Sequence, residues 1–272
     1  MEDLGKNGRS LLFQRGERLW HADTSYSFPL SCRAPLGLAA FGRAEFGRYN
    51  RSLSWPGAFI SFEGIDGSGK TTQLQRLASF LSARGHTVTL AQEPGGTRVG
   101  REIRKLLLDK ANSDLRAIPE LLLYFASRAQ NIEEVILPAL EQGGIVLADR
   151  FTDATAAYQG YGRELGGDAV RRIEAVACRG VKPDLTLLLA IDPASGVRRA
   201  LSRNAHQSDD ESRMEQESIE FYRRVAAGYD QLLQAEPERI KRIDAGGSLD
   251  EVAAAIEAEV ERFLSRRFPR PA

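Results

Sequence analysis

The sequence predicts an α/β protein, a three-layer α/β/α sandwich in which helices cover both faces of a parallel five-stranded sheet. From residue 58 onward, short apolar runs alternate with longer amphipathic stretches. Strands that are separated by helices pair in parallel through crossover connections. A length of 272 residues suits one full-sized domain of this kind and is short for two.

Five apolar runs predict the strands. The run over 58–62 is rich in residues that favour strands, and the run over 184–190 is the most apolar. A third run, over 144–149, is typical of a buried strand and ends in a carboxylate. The remaining two are 86–91 and 239–243, and we expect the last one at an edge of the sheet.

Apolar residues at helical spacing predict the helices between these strands. Leu74, Leu77 and Leu81 share one face of a helix over 70–84, and Gly85 is a typical C-terminal cap. These stretches supply the connections that parallel strands need. We expect further helices over 120–140 (interrupted near Pro138), 168–179, 193–203, 213–235 and 249–268.

Composition excludes several classes of protein. Basic and acidic side chains number 37 each, so no net charge attracts a nucleic-acid duplex. No apolar run reaches the 18 residues of a membrane span. Two cysteines, Cys32 and Cys178, and three scattered histidines exclude a disulfide scaffold and a structural zinc cluster. Lone thiols suit a reducing compartment, so we expect a cytoplasmic protein. From the balanced charge and the lack of a long apolar run we expect no nucleic-acid or membrane partners.

The chain divides near residue 56. Residues 1–56, the leader segment, carry aromatic, arginine and serine residues without a sustained helical or strand period, which is typical of a disordered or mis-started N-terminal extension. A lineage-specific extension and a targeting segment are the alternatives, although Glu2, Asp3 and Glu17 are unusual in a transit peptide. We expect the folded domain to span residues 57–268.

A phosphate-binding loop follows the first predicted strand. Residues 64–71 fit the pattern G-x-x-x-x-G-K-[ST] between a strand and a helix, the context that gives this motif its meaning. The glycines let the backbone wrap an anion, while loop amides and the helix N-terminus direct positive charge at phosphates. The motif predicts that Lys70 reaches the β- and γ-phosphates of ATP and that Thr71 binds Mg²⁺. We expect nucleotide contacts from Gly64, Ile65, Asp66, Gly67, Ser68, Gly69, Lys70, Thr71 and Thr72.

The fold is therefore expected to be of the P-loop NTPase type, and other residues indicate which kind. A GTPase needs an Asn-Lys-x-Asp string to read guanine, and the sequence contains none. Asp149 ends the third strand, where a carboxylate can orient Mg²⁺ water or an acceptor phosphate. Arg150 can clamp a second phosphate through two parallel hydrogen bonds. A strand-end ion pair without a ligand is the alternative.

A polar stretch over 204–212 lies between two predicted helices and contains no apolar anchor, which is typical of a mobile lid. A lid arginine can stabilise charge on a transferring phosphoryl group and exclude water. A solvated, charged helix is the alternative for each arginine. The candidates that flank the stretch are Arg198, Arg199, Arg203 and Arg213.

Six short strings occur in order along the chain: FEGIDGSGKTT (62–72), EPGGT (93–97), SRAQ (127–130), DRFTD (149–153), AYQG (157–160) and RMEQE (213–217). Together they resemble the motifs of bacterial thymidylate kinases, in the order and spacing of that family, over about residues 58–267. Jointly they are far more specific than the phosphate-binding loop alone.

The resemblance implies transfer of the γ-phosphoryl group of ATP to dTMP with Mg²⁺, giving ADP and dTDP for dTTP synthesis. The family has two arrangements of its catalytic arginine: one places it in the phosphate-binding loop, and the other keeps a small residue there and supplies the arginine from the lid. Gly67 occupies that loop position, so the chain resembles the lid type. We expect Arg213 in that role first and Arg203 second. The other catalytic candidates are Lys70, Asp149 and Arg150, and the metal ligands are Thr71, Glu93 and Asp149.

The same resemblance implies the residues that bind the acceptor. Tyr124 falls where the family has a phenylalanine that stacks on thymine, with core packing as the alternative. Arg128, one helical turn later on the same face, falls on the arginine that hydrogen-bonds the base. Thr155 and Gln159 match polar contacts to the base. Asp66 and Tyr158 match positions near the sugar. The residues around the acceptor phosphate and its metal are Glu93, Arg104 and Arg150, and Pro94 is a further substrate-binding candidate.

Some features depart from the family or remain open. Gln92, Asn131 and Ser212 stand where the family commonly has arginine, histidine and aspartate. The alternatives in function are a kinase for another (deoxy)nucleoside monophosphate or a deoxynucleoside, and a nucleotide-binding regulatory module without catalysis. The family is commonly dimeric, so we expect a homodimer; the apolar stretch over 118–140 supplies the interface or is buried within one subunit.

Overall fold

Five parallel strands form the sheet of the computed structural model: β1 (Ala58–Glu63), β2 (Val88–Gln92), β3 (Ile145–Asp149), β4 (Leu185–Ala190) and β5 (Ile240–Asp244). Their order across the sheet is β2-β3-β1-β4-β5, so β5 lies at an edge as expected. The structure describes residues 55–204 and 213–269. The leader segment up to residue 54 and residues 205–212 of the expected lid, Ser212 included, lie outside this described part.

Helices connect these strands and confirm the predicted three-layer sandwich. They are α1 (Lys70–Ala83), α2 (Arg98–Leu108), α3 (Ala117–Asn131), α4 (Leu137–Glu141), α5 (Thr152–Thr155), α6 (Gly167–Cys178), α7 (Pro193–Asn204), α8 (Ile219–Ala235) and α9 (Leu249–Arg267). Wide π-type turns cover Ile132–Ile136 and Ala156–Gly162, and short 3-10 turns cover Lys110–Asn112 and Arg213–Gln216. No helix in the described part is long and apolar enough to cross a membrane.

The central strand β1 is buried on both faces, which explains its unbroken apolar sequence. Ile60 and Phe62 belong to a core that the sheet shares with α1 and α9. Phe59 packs on the opposite face with residues of α3 and α6, and its ring meets that of Phe151 edge to face at 4.9 Å. Successive side chains of a strand point to opposite faces, so one short run stabilises both helical layers.

Two helical segments were not predicted from the sequence. Helix α2 begins after Thr97, whose side chain caps it by accepting a hydrogen bond from the Gly100 amide at 2.9 Å. That N-cap, followed by Ile103 and Leu107 on one face, is the signal that could have located it. Helix α5 and the following π-type turn contain threonines and glycines that disfavour helices. Nearly all their side chains are buried, so tertiary packing stabilises them.

Two predicted helices have different boundaries from those expected. The stretch over 213–235 is divided, because Arg213 lies in a 3-10 turn and α8 begins only after Ser218, which caps it through the Phe221 amide. The long stretch near Pro138 is interrupted earlier than expected, by the π-type turn at Ile132–Ile136. Pro138 itself lies in the first turn of α4, where a missing N–H is tolerated.

The carboxyl ends of β1 and β3 are held together by two hydrogen bonds. Phe62 pairs with Asp149 in register, and the Arg150 amide donates to the Phe62 carbonyl oxygen at 3.0 Å. The next amide, that of Phe151, donates to Glu63 Oε1 at 2.7 Å. Arg150 has a φ of +73°, a conformation that costs free energy in a residue with a side chain. The two hydrogen bonds therefore hold a strained turn directly after β3.

Glu63 is a fully buried carboxyl group at this junction. Besides the Phe151 amide it accepts a hydrogen bond from the Tyr229 hydroxyl at 2.8 Å. Burial, together with the nearby charge of Asp153, raises the pKa of Glu63 to about 8, while Arg150 and the two hydrogen bonds oppose the rise. The folded protein therefore keeps a proton on Glu63 at neutral pH.

This proton predicts how stability depends on pH. An unfolded chain releases it near pH 4.5, whereas the folded chain keeps it up to about pH 8. Glu63 therefore contributes stability that is fully present below pH 4.5 and is lost as pH rises to 8, at up to ~1.4 kcal/mol per pH unit. Glu63→Gln, which resembles the protonated side chain, is expected to flatten this fall in the free energy of unfolding.

Urea unfolding of both proteins at several pH values between 5 and 8 measures the two slopes. Glu141→Gln, at an exposed position of α4, serves as the matched control and is expected to keep the wild-type slope. Equal slopes in wild type and Glu63→Gln would show that Glu63 does not retain its proton in the folded state.

Candidate functional site

The loop between β1 and α1 is the phosphate-binding loop. Gly64, Gly67 and Gly69 have φ values of +133°, +78° and +87°, which other residues rarely adopt. A Cβ atom on Gly64 would lie 2.4 Å from the Leu189 carbonyl oxygen, and one on Gly67 would lie 2.0 Å from that of Gly196. Both positions therefore leave no room for a side chain.

Lys70 opens α1, and its ammonium group turns back into the loop. Nζ donates to the carbonyl oxygens of Gly64 at 3.0 Å and Ile65 at 2.9 Å, and the residue is buried. Burial, with repulsion from Arg150, lowers the pKa of Lys70 to about 8. An anion bound by the loop would oppose this shift, because a nearby negative charge favours the protonated amine. A bound phosphate and a charged Lys70 would therefore stabilise each other.

Two of the three predicted metal ligands lie together. Thr71 Oγ1 donates to Asp149 Oδ2 at 2.7 Å, which brings a hydroxyl and a carboxylate to the first turn of α1. Such an oxygen donor set is the kind that Mg²⁺ prefers. Glu93 directs its carboxylate elsewhere, with Oε2 accepting from Arg128 and Oε1 from Asn131. Among the described residues, no group of three or more Asp, Glu, His or Cys side chains could hold a metal ion by itself.

Arg150 connects the phosphate-binding loop to the residues beside it. Its guanidinium donates to Asp66 Oδ1 at 2.6 Å, to the Tyr158 hydroxyl at 3.1 Å and to the Gly64 carbonyl oxygen at 3.2 Å. Burial alone would raise the pKa of Asp66, but Arg150 and Lys70 hold it below its ordinary value. The charges of Lys70, Asp66 and Arg150 thus compensate one another where the loop meets the end of β3.

A cavity of about 160 Å³ adjoins Arg150. We call it the acceptor cavity, after the residues in its walls that were predicted to bind the acceptor. Three of its wall residues were not predicted: Leu108 lies at the end of the unpredicted helix α2, Ala154 lies on the unpredicted helix α5, and Met214 lies in the 3-10 turn. The structure brings together in its walls all ten residues predicted to bind the acceptor, namely Asp66, Glu93, Pro94, Arg104, Tyr124, Arg128, Arg150, Thr155, Tyr158 and Gln159.

Arg128 is held rigidly in the wall of the acceptor cavity. Its side chain is 2% exposed, and Nε donates to Glu93 Oε2 at 2.5 Å. Nη1 donates to Thr155 Oγ1 at 2.9 Å and Nη2 to the Phe151 carbonyl oxygen at 3.0 Å. Burial raises the pKa of Glu93, and the Arg128 charge opposes that rise. This pair therefore fixes α3 against the strand ends.

Tyr124 and Arg104 also lie in the wall of the acceptor cavity. Tyr124 is partly buried, one turn before Arg128 on α3, and burial raises its pKa to about 12. Its ring can therefore form an apolar wall with a neutral hydroxyl. Arg104, on α2, donates from Nη1 to the Pro94 carbonyl oxygen at 3.1 Å.

The two candidate lid arginines lie at opposite ends of the undescribed stretch. Arg203 belongs to the last turn of α7. Arg213 is buried and donates from Nη2 to Glu120 Oε2 at 2.7 Å and from Nε to the Leu107 carbonyl oxygen at 2.5 Å. The guanidinium of Arg213 is therefore bound to α2 and α3 rather than to the phosphate-binding loop.

A larger cavity of about 660 Å³ adjoins the phosphate-binding loop at Gly64 and Ile65. Its other walls come from the ends of β4 and β5, with Asp244 the last residue of β5, from the residues that follow these strands, and from helices α7 and α8. Arg199 of α7 lies in the wall and donates to the Ala245 carbonyl oxygen at 3.1 Å. Apart from Gly64 and Ile65, the residues of this cavity come from segments far apart in the chain and match no local motif, so the sequence did not predict it.

Comparison with known proteins points to one family. A family model described as "Thymidylate kinase" matches residues 62–256. A curated protein of that name from Solidesulfovibrio magneticus is 49% identical over 208 residues, which are 76% of this chain and 100% of the relative. Another, from Syntrophotalea carbinolica, is 51% identical over 199 residues, 73% of this chain and 92% of the relative.

A solved structure agrees with these sequence matches. The crystal structure of thymidylate kinase from Ehrlichia chaffeensis resembles this fold with a TM-score of 0.60 and 32% sequence identity. The likeness covers 75% of this chain and 98% of that chain.

The buried Arg128–Glu93 pair predicts a coupled effect on stability. Arg128→Met leaves Glu93 as an uncompensated buried carboxylate, so we expect a loss of about 3–5 kcal/mol in the free energy of unfolding. Combining it with Glu93→Gln is expected to cost clearly less than the sum of the two single changes. Urea unfolding of the wild type, the two single variants and the double variant measures this coupling. Losses in the free energy of unfolding that add to within about 0.5 kcal/mol would contradict it.

Proposed function

The chain belongs to the thymidylate kinase family, and from this premise we propose that it transfers the γ-phosphoryl group of ATP to dTMP, forming ADP and dTDP for dTTP synthesis. The observation that carries the proposal is that two cavities adjoin one phosphate-binding loop. Gly64 and Ile65 line the larger cavity, and Asp66 lines the acceptor cavity. Two phosphorylated ligands bound there would meet end to end, as in-line transfer requires.

The donor side is assigned to the loop and the larger cavity. Backbone amides of residues 64–72 and the start of α1 would bind the phosphates of ATP, with Lys70 supplying positive charge. The nucleoside part of ATP would occupy the larger cavity beside Gly64. Thr71 and Asp149 would hold Mg²⁺, which supplies further positive charge at the phosphates when bound. Glu93 is the third candidate ligand, although its carboxylate is paired with Arg128.

The acceptor side is assigned to the acceptor cavity. Tyr124 would stack on the thymine ring, and polar groups of Arg128, Thr155 and Gln159 would contact its edge. Glu93, Pro94, Arg104 and Arg150 would surround the acceptor phosphate, with Asp66 and Tyr158 near the sugar. An acceptor phosphate is already an anionic nucleophile, so the chemistry needs alignment and charge neutralisation rather than a general base.

The arginine that closes over the reaction is assigned to the lid. Arg213 is buried and bound to Glu120, which favours Arg203 for this role and reverses the order that the sequence suggested. Arg203 lies in the last turn of α7, the helix whose Gly196 packs against the phosphate-binding loop. A lid that carries this arginine would also exclude water and so prevent hydrolysis of ATP.

We assign the activity to residues 57–268 and propose a cytoplasmic location without nucleic-acid or membrane partners. The family model lies entirely within this range. Cys178 is buried and free, and burial raises its pKa to about 12, which suits an unreactive thiol in a reducing compartment.

We also propose that the protein is a homodimer. Ile118, Leu122 and Val176 are about half exposed or more, and they lie on α3 and α6. Leu122 and Val176 line one open, mostly apolar groove between these helices, together with Phe125, Ala126, Ala129, Ile173 and Ala177 and with the polar residues Gln130, Glu133 and Arg179. Contiguous exposed apolar surface of this kind marks a site of association, and a second copy of the chain would bury it through a two-fold axis.

The acceptor is tested by a panel of dTMP, dUMP, CMP, GMP and thymidine with ATP, in an assay coupled to ADP release. We expect dTMP to be the preferred acceptor. Lys70→Ala is expected to lower turnover by roughly two to four decades because it removes charge from the transferring phosphoryl group. Lys110→Ala, at an exposed position between α2 and α3, is the matched control and should keep wild-type turnover.

If the enzyme prefers another member of the panel, that compound replaces dTMP as the proposed substrate. Tight binding of ATP without transfer to any acceptor would instead favour a regulatory module. Near-normal turnover in Lys70→Ala would remove that residue from the site.

The homodimer is tested by introducing charge into the apolar groove. Leu122→Glu combined with Val176→Glu is expected to shift the protein from dimer to monomer, because unpaired carboxylates would be desolvated at the interface. Analytical ultracentrifugation at micromolar concentration measures the change. Leu249→Glu, an equally exposed leucine on α9, should leave the dimer intact. A monomeric wild-type protein at that concentration would contradict the proposal.

A further inference from the structure

Glu120, in the first turn of α3, is a fully buried carboxylate that contacts a wall residue of the acceptor cavity. Oε1 accepts hydrogen bonds from Gln159 Nε2 at 2.8 Å and from Arg163 Nε at 3.1 Å. Oε2 accepts from Arg163 Nη2 at 3.1 Å and from Arg213 Nη2 at 2.7 Å. Four hydrogen bonds thus meet at a group that phosphoryl transfer itself does not use.

The carboxylate of Glu120 is ionised. Burial acts to raise its pKa, but Arg163, together with Gln159 and Arg213, holds the pKa of Glu120 below its ordinary value. An ionised carboxylate only accepts hydrogen bonds. Gln159 must therefore turn its NH₂ group toward Glu120, so the other side of the amide presents a carbonyl oxygen.

This orientation matters because Gln159 lines the acceptor cavity. A carbonyl oxygen there accepts a hydrogen bond from the N3–H of thymine, whereas cytosine carries an acceptor at N3. Arg128, in the same wall, is a donor only, and it suits the O4 carbonyl of thymine but not the amino group of cytosine. The two side chains together match one pyrimidine edge and reject the other.

We propose that Glu120 is a positioning residue that sets the pyrimidine selectivity of the acceptor cavity by fixing the orientation of the Gln159 amide. The proposal rests on the proposed function, in which this cavity receives dTMP. The acceptor itself does not contact Glu120 in this scheme; the carboxylate acts through Gln159. The two arginines fill the rest of its hydrogen-bonding capacity and keep it charged.

Replacement of the Glu120 carboxylate by an amide is expected to reverse the orientation of the Gln159 amide. In Glu120→Gln, two guanidinium N–H donors face the Oε2 position and only one faces the Oε1 position, so the oxygen stays at Oε2 and the new NH₂ group takes the place of Oε1. A donor then faces Gln159, and Gln159 turns its carbonyl oxygen toward it. The acceptor cavity would now present an NH₂ group, which matches N3 of cytosine instead of N3–H of thymine.

The test compares kcat/KM for dTMP and for 5-methyl-dCMP, which differ only at this edge of the base. Wild type is expected to prefer dTMP, and Glu120→Gln is expected to lower the ratio of the two values about tenfold or more, the scale of one hydrogen bond to a base. A purely structural role would reduce the amount of active enzyme for both nucleotides equally and leave the ratio unchanged.

Glu217→Gln is the matched control. Glu217 pairs with Nη1 of the same Arg163 at 2.6 Å, yet it is not among the partners of Gln159. Its replacement removes an equal charge from the same network, and we expect the wild-type ratio. If Glu120→Gln is too unstable to purify, the combination with Arg163→Gln, which also removes one partly buried cation, is assayed instead, with the same expected fall.

The assay distinguishes failure of the proposed function from failure of the role of Glu120. A wild-type enzyme that phosphorylates neither nucleotide would overturn the proposed function and this inference with it. A wild-type enzyme that prefers dTMP, with a ratio unchanged in Glu120→Gln or in its combination with Arg163→Gln, would overturn the role of Glu120 alone.

Discussion

Two hydrogen bonds at the carboxyl ends of β1 and β3 set the geometry on which the rest of the site depends. The Arg150 amide is bound to the Phe62 carbonyl oxygen, and the next amide is bound to Glu63. Together they hold Arg150 in a left-handed conformation that its side chain disfavours. Because the phosphate-binding loop leaves β1 one residue beyond Glu63, the same junction places the loop and the Arg150 guanidinium within contact of each other.

Charge compensation explains how so many ionisable groups are buried at this edge of the sheet. Lys70, Asp66 and Arg150 alternate in sign, and Arg128 with Glu93 forms a second pair deeper in the acceptor cavity. A buried charge is costly unless a partner of opposite sign is present. The pKa of Lys70 stays lowered despite these partners, and a bound phosphate would supply further negative charge beside it.

The sequence could predict the parts of the site that lie in short, continuous motifs. The phosphate-binding loop is local because its glycines must adopt positive φ values next to a helix N-terminus, and these requirements fall on neighbouring residues. The ten acceptor residues were predicted through resemblance to a family, and the structure gathers them around one cavity. Helix α2 and α5 were missed, because a cap and buried packing stabilise them rather than a strong apolar period.

The sequence by itself determined the order of the strands, most of the helices and the phosphate-binding loop, because periodicity and turn chemistry act between near neighbours. Its resemblance to a family supplied the residues that line the acceptor cavity. Only the tertiary structure decided which oxygen or nitrogen each of those side chains presents. Glu120 and Gln159 are 39 positions apart, and Glu93 and Arg128 are 35 apart. Hydrogen-bond direction and desolvation depend on distances between atoms that no local pattern encodes, so pairing and selectivity appear only once the chain has folded.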